Sequence, residues 1–290
     1  MDGELAFIGF GEAAQAFAMG LPIKARAYDR KTYVRATRRA KLDDYRRFGV
    51  DGALTNKAAV AGAKLILSLV TADKAAASAR ETATGIVAGA LYCDMNSVSP
   101  VTKQAAARSF DETGAAYVDV AVMAPVHPSR RDTPLLVSGD DADRAVAALI
   151  ELGFSRVRSV TGGIGAASSI KMIRSVMVKG TEALTLECLL AAEAAGVRGE
   201  VLASLDAGSS GADSVSRANY NLERMMVHGL RRAAEMEEVV RTLDALGTGS
   251  TMSRGTIERQ RAIGSLHIAP AATLEAKLDQ LQAARKDRAA

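Results

Sequence analysis

The chain has 290 residues, room for one large domain or two ordinary ones, and its 48% apolar and 24% charged content excludes a disordered chain. A formal charge of +4, scattered in pairs such as Arg38–Arg39 and Arg231–Arg232, excludes a nucleic-acid-binding arm but suits a small anionic ligand. No apolar run reaches the roughly 18 residues of a membrane span and no basic, apolar leader opens the sequence, so a cytoplasmic protein with no nucleic-acid or membrane partner is expected.

Strand and helix signals alternate through the first half. Leu5–Phe10 is a short apolar run, followed by an Ala-rich helical stretch over Glu12–Met19. Ile23–Tyr28 reads as a strand and Thr32–Phe48 as a charged helix. Lys64–Val70 is almost continuously apolar, the mark of a parallel strand covered on both faces. Ala90–Asp94 and Ala116–Val120 are further strands, each after a helical segment, and Pro134–Ser138 and Ser155–Val160 are weaker ones. This alternation predicts an α/β domain with a doubly wound parallel sheet.

The pattern changes at Thr161–Gly165, a glycine-rich punctuation point. A long helix is predicted over Ala166–Ala195, ended by Gly196, and only helices after it. The expected domains are therefore residues 1–161, a Rossmann-type domain, and 162–290, an all-α domain joined to it by the long helix. The basic tail from Arg285 is expected to fray. Cys93 and Cys188 lie in apolar stretches without CxxC spacing and read as two buried thiols in a reducing compartment.

The sharpest motif is Gly9-Phe10-Gly11-Glu12-Ala13-Ala14, which fits G-x-G-x-x-G/A between a strand and a helix. Gly9 permits the tight turn, Gly11 lets backbone approach a pyrophosphate, and Ala14 keeps the helix close to the sheet. Phe10, Glu12 and Ala13 complete the turn, and the helix N-terminus meets the phosphate charge. Asp29 follows at the end of the second strand, where a carboxylate accepts ribose hydroxyls and disfavours a 2′-phosphate. It favours NAD, while Arg30 and Lys31 directly after it leave NADP open. A glycine-rich turn without a ligand is the plain alternative.

Four blocks, spread over nearly the whole chain, resemble the β-hydroxyacid dehydrogenase family, which includes 3-hydroxyisobutyrate and 6-phosphogluconate dehydrogenases. They are the turn at Gly9, Asp94-Met-Asn-Ser-Val-Ser-Pro100, Tyr117-Val-Asp-Val-Ala-Val-Met-Ala-Pro125 and Gly163-Ile-Gly-Ala-Ala-Ser-Ser-Ile-Lys171. The stretch from His228 to Glu238 looks closest to a branch of that family with an uncharacterised helical C-terminal domain. The resemblance implies a Rossmann domain, an interdomain helix and a helical domain that mediates a homodimer or higher homo-oligomer. It also implies hydride transfer between nicotinamide and a small anionic hydroxyacid or polyol acid, with a Lys as general acid/base.

Lys171 matches that base, in a small, apolar segment that suits a lysine used for proton transfer. A lysine snorkelling on a helix flank is the alternative. Arg174 and Ser175 lie one turn on, where the family carries Asn, and Arg174 can fork onto a substrate carboxylate. Asn96 and Ser97 follow the Ala90–Asp94 strand at its carboxyl end, where open α/β sheets bind ligands. Asn96 is expected at the nicotinamide ribose or carboxamide and Ser97 at substrate or cofactor; the alternative is helix capping, a task Ser99 already suits. Val70 and Thr71 are expected to pass the cofactor too.

Met123-Ala124-Pro125 departs from the family's S-G-G, since Met has no hydroxyl and Pro no N–H. His127, Arg130 and Arg131 follow as replacement donors or as an ordinary exposed loop. His228 stands near the family's second-domain lysine, as a substrate contact or a structural histidine. No metal-ligand spacing and no nucleophile–base arrangement is present. Two other functions stay open: reduction of imines or other non-carboxylate substrates, and dinucleotide binding without turnover.

Overall fold

The computed structural model describes residues 4–207 and 213–289, the side chains of residues 207 and 285–289 excepted. It divides into two compact units, Met1–Lys171 and Met172–Ala290.

The first unit runs β1 (Leu5–Ile8), α1 (Glu12–Ala18), β2 (Ala25–Tyr28), α2 (Arg35–Arg47), β3 (Asp51–Gly52), α3 (Asn56–Val60), β4 (Leu65–Ser68) and α4 (Ala75–Ala83). It continues with β5 (Leu91–Asp94), α5 (Pro100–Ala107), β6 (Ala116–Val122), β7 (Leu135–Ser138), α6 (Ala142–Glu151), β8 (Val157–Ser159) and the start of α7 (Ala166–Ala194). The eight strands form one sheet in the order β3-β2-β1-β4-β5-β6-β7-β8. Every neighbouring pair is parallel except β6 and β7. Strand order reverses between β1 and β4, the switch point at which doubly wound sheets bind ligands.

The near-continuous apolar strands follow from two cores. Leu5, Phe7, Leu65, Leu67, Leu91 and Cys93 pack on one face with Phe17 and Phe154. The alternate residues Ala6, Ile8, Ile66 and Tyr92 pack on the other with Phe110 and Tyr117. Successive side chains point to opposite faces, so a strand covered on both sides has no polar face to show. Burial raises the Cys93 thiol to about 12.

Among its described residues the second unit contains helices and no strand. Beyond its part of α7 it contains α8 (Arg198–Ala207), α9 (Ser214–Ala245), α10 (Thr251–Gly264) and α11 (Leu274–Ala289). Leu186, Leu190, Leu222, Met225, Leu278 and Leu281 are among its core residues. The backbones of α9 and α10 meet closely: a Cβ on Gly229 would lie 2.4 Å from the Gln260 carbonyl oxygen and 2.8 Å from Gly264 Cα. Glu182 binds the guanidinium of Arg232 by both oxygens and accepts from Gln260 Nε2 at 2.9 Å. Lys179 donates to Ser175 Oγ at 3.1 Å and pairs with Glu235 at 3.2 Å; burial draws its pKa down and Glu235 opposes the shift.

Several expectations change. The charged helix begins at Arg35, because Arg30–Thr32 form a 3-10 turn capped by Asp29. The two-residue β3 and five-residue α3 carry too short a pattern to be read from sequence. Cys188 is exposed, not buried. The compact units part after Lys171, and Asp119 and Ser138 bind the first turn of α7 within the first unit. The tail from Arg285 continues α11 as far as Ala289, and its side chains lie outside the described residues.

Two glycine substitutions should have opposite signs in thermal denaturation. Gly229→Ala forces α9 and α10 apart and should cost about 1–3 kcal/mol. Gly180→Ala, on α7, meets nothing closer than Thr256 Oγ1 at 4.0 Å. It should raise stability by about 0.5–1 kcal/mol through helix propensity.

Candidate active site

The glycine turn closes β1. Gly9 N donates to the Tyr28 carbonyl at 2.8 Å, which draws the ends of β1 and β2 together. Gly9 has φ +84°, and a Cβ there would lie 2.5 Å from the Leu69 carbonyl oxygen, so the position admits only glycine. Gly11 caps α1, and a Cβ on it would meet nothing within 4 Å. Open room thus stands where a pyrophosphate would approach, beside the N–H groups that a helix leaves without intrahelical partners. Glu12 is exposed and Ala13 half-buried in the first turn.

Asp29 is half-buried and accepts from Phe10 N at Oδ2 and from Lys31 N at Oδ1, both at 2.9 Å. Each oxygen retains acceptor capacity for a ribose hydroxyl. Arg30 and Lys31 are exposed. The buried Lys41 on α2 donates to the Phe10 carbonyl at 2.6 Å and to Asp44 Oδ2 at 2.7 Å. Gln15 Nε2 reaches the same two acceptors at 3.2 and 3.0 Å. The Phe10 ring packs against Phe7, Tyr45 and Phe48. Sequence reasoning missed Lys41, which stands in a charged helix like any solvated lysine.

The carboxyl ends of β4 and β5 lie beside that of β1 in the parallel sheet. Asn96 is buried, and its amide group makes three hydrogen bonds. Nδ2 donates to Asp94 Oδ1 at 2.7 Å and Ser68 Oγ at 3.0 Å, while Oδ1 accepts from Val70 N at 2.7 Å. It therefore works as a strut between the two strand ends, holding the Val70 backbone. Thr71 is exposed and donates to Asp73 Oδ1 at 2.6 Å. Ser99 caps α5, accepting from Thr102 N, with Pro100 at the first helical position.

Ser97 and Lys171, 74 residues apart in sequence, meet: Lys171 Nζ donates to Ser97 Oγ at 2.6 Å. Both are half-buried. Beneath them Asp94, Lys103 and Asp119 are fully buried. Lys103 Nζ lies 3.0 Å from Asp94 Oδ1 and 3.3 Å from Asp119 Oδ1. Tyr117 OH donates to Asp94 Oδ2 at 2.5 Å, and burial holds the Tyr117 hydroxyl well above its ordinary pKa. Asp119 accepts from Gly165 N at 3.1 Å and from Ser168 N at 2.9 Å, at the start of the helix that carries Lys171.

The remaining candidates lie in the segment after β6 and in the second unit. Met123 follows β6, half-buried, its N donating to the Pro134 carbonyl at 2.9 Å; Ala124 and Pro125 are exposed. Arg131 is not available as a substrate donor. Its guanidinium binds the carbonyls of Phe17, Met19 and Gly20 at 2.9, 2.7 and 2.8 Å, closing the C-terminal end of α1. His127 and Arg130 are exposed. Arg174, Ser175 and His228 belong to the second unit: Arg174 is exposed on α7, Ser175 is buried beside Lys179, and His228 is half-buried on α9. Among the described residues no cluster of His, Cys, Asp or Glu could hold a metal ion, and no helix is long and apolar enough to cross a membrane.

A doubly wound sheet with this turn, this acid and these strand ends defines a dinucleotide-binding oxidoreductase fold. The chain belongs to the family of proteins that carry the NAD binding domain of 6-phosphogluconate dehydrogenase, which matches residues 4–151. Residues 192–263 match a domain of unknown function, DUF1932. The chain is 36% identical to a conserved hypothetical protein from Sinorhizobium meliloti, with a TM-score of 0.74 over 93% of this chain and 91% of that one. It shares the fold of Mycobacterium tuberculosis 3-hydroxyisobutyrate dehydrogenase, solved with L-serine, at 16% identity and a TM-score of 0.71 over 97% and 99% of the two chains. An imine reductase from Myxococcus stipitatus in complex with NADP+ is also similar, at 19% identity and a TM-score of 0.59 over 95% and 98%.

Asp29→Ala should weaken NADH binding about 10- to 100-fold, the loss of charge-assisted hydrogen bonds. Titration of NADH fluorescence checks this; an unchanged dissociation constant would remove Asp29 from the nucleotide site.

Proposed function

We propose that the protein is an NAD(P)-dependent oxidoreductase that moves a hydride between nicotinamide and a small anionic hydroxyacid or polyol acid, or its carbonyl form. The observation that carries this reading is the Lys171–Ser97 hydrogen bond, at 2.6 Å, beside the carboxyl ends of the strands where the glycine turn and Asp29 stand. The bound nicotinamide supplies or accepts the hydride. In oxidation Lys171 Nζ takes the hydroxyl proton as the carbonyl forms; in reduction it returns that proton to the carbonyl oxygen. Ser97 Oγ holds the amine in place and shares its hydrogen bond. Asp29 favours NAD, and the exposed Arg30 and Lys31 keep NADP as the second nucleotide to test.

The test is a panel of small hydroxyacids with NAD+ and NADP+, run on wild type and Lys171→Met. Turnover should fall about 10²–10⁴-fold in the variant, with NADH binding retained. Full turnover without Lys171 would sink the acid–base role.

The loop after β6 favours a second reading, reduction of an imine or other non-carboxylate substrate. Met123-Ala124-Pro125 offers a carboxylate neither a hydroxyl nor an N–H at Pro125, and Arg131 is occupied with α1. Reduction of a cyclic imine by NADPH, with no activity on hydroxyacids, would select it.

The same proposal includes self-association through the helical unit and a cytoplasmic location. Met177, Leu184, Tyr220 and Val227 are exposed apolar side chains of that unit, and a second copy would cover them. The exposed Cys188 thiol fits a reducing compartment. Analytical ultracentrifugation should show a homodimer or a higher homo-oligomer; a monomer at micromolar concentration would contradict the association.

A further inference from the structure

Three charges are buried where the hydride-transfer reading gives them no task. Lys103, Asp94 and Asp119 are each 0% exposed. Besides its two carboxylate partners, Lys103 Nζ donates to the Asp94 backbone carbonyl. Desolvating three charges is costly, and apolar residues of similar volume often hold a core as well or better. In some proteins a buried ionic set serves instead to select one arrangement of the segments that carry it.

Those segments are the two that meet at Ser97 and Lys171. Asp94 Oδ1 accepts from Asn96 N at 2.9 Å and from Asn96 Nδ2, fixing the residue before Ser97. Asp119 accepts from Gly165 N, from Ser168 N and from Ser168 Oγ at 2.6 Å, fixing the turn before Lys171. Ser138 Oγ donates to Asp119 Oδ2 at 3.2 Å and accepts from Ala167 N at 3.0 Å, tying β7 to the same turn. Asp94 and Asp119 are register partners on the adjacent strands β5 and β6, and Lys103 bridges their two carboxylates.

We propose that Lys103 is a positioning residue, joining the end of β5 to the start of α7 so that Lys171 is set on Ser97. The inference rests on the acid–base reading of Lys171 for its significance, but it concerns placement, and placement is measured without substrate.

The experiment is acetylation of the ligand-free protein with acetic anhydride, with the rate at each lysine read by mass spectrometry. Ser97→Ala should speed modification of Lys171 about fivefold, the loss of one hydrogen bond. Lys103→Met should do the same, while the buried Lys41 and Lys179 stay as slow as in wild type. Lys103→Gln, which keeps donors between the carboxylates, should restore part of the protection, and it decides the matter if Lys103→Met does not fold. Wild-type reactivity of Lys171 in the folded Lys103 variants overturns the proposal. So does a parallel rise at Lys41 and Lys179, which would mean general loosening, or an unchanged rate in Ser97→Ala. On any hydroxyacid the wild type oxidises, Lys103→Met should lose about tenfold or more in kcat with NADH affinity unchanged. A Lys171→Met variant that keeps its turnover would overturn the acid–base reading and leave the acetylation result standing.

Discussion

Lys103 sits out of reach of water between two carboxylates, and the candidate chemistry stands on that arrangement. Asp94 ends β5 and holds Asn96; Asp119 accepts from Gly165 N just before α7 and from Ser168 N in its first turn. Without the ammonium between them, two buried carboxylates would face each other with only neutral donors, a costly state in a low-dielectric interior. With it, the segments bearing Ser97 and the first turn of α7 are tied to one charged group, and Lys171 Nζ lies 2.6 Å from Ser97 Oγ.

The phosphate turn is built on similar logic. Its conformation is dictated by Gly9, whose neighbour Leu69 leaves no room for a Cβ. Its support comes from behind, where Lys41 and Gln15 bind the Phe10 carbonyl and Asp29 binds the Phe10 N–H. Phe10 thus has both backbone polar groups satisfied and its ring packed among aromatics, so the turn is held before any ligand arrives. Preorganisation of this kind lets binding energy go to the dinucleotide contacts instead of to ordering the loop.

Much of this was legible in sequence because it depends on local chemistry or on period. The G-x-G-x-x-A turn, Asp29, the doubly apolar strands β4 and β5 and the Ser99–Pro100 helix start all follow from neighbouring residues. Lys171 and Ser97 were each identifiable from the family's motifs, but not the hydrogen bond between them. Lys41, Lys103 and Arg131 were illegible for a common reason. A charged residue in a helix or loop looks solvated until its distant acceptors are known, and for Arg131 those lie 111 to 114 positions away. The departure at Met123-Ala124-Pro125 was visible, but what replaces the missing donors was not, and Arg131 proves to be committed elsewhere.

The most direct test of the account is a crystal structure with NAD(P)H bound. The account predicts the pyrophosphate against Gly9 to Ala13, the adenosine ribose hydroxyls on Asp29, and the nicotinamide ring beside Ser97 and Lys171. A dinucleotide bound with its nicotinamide remote from Lys171, or with its pyrophosphate away from the glycine turn, would contradict it.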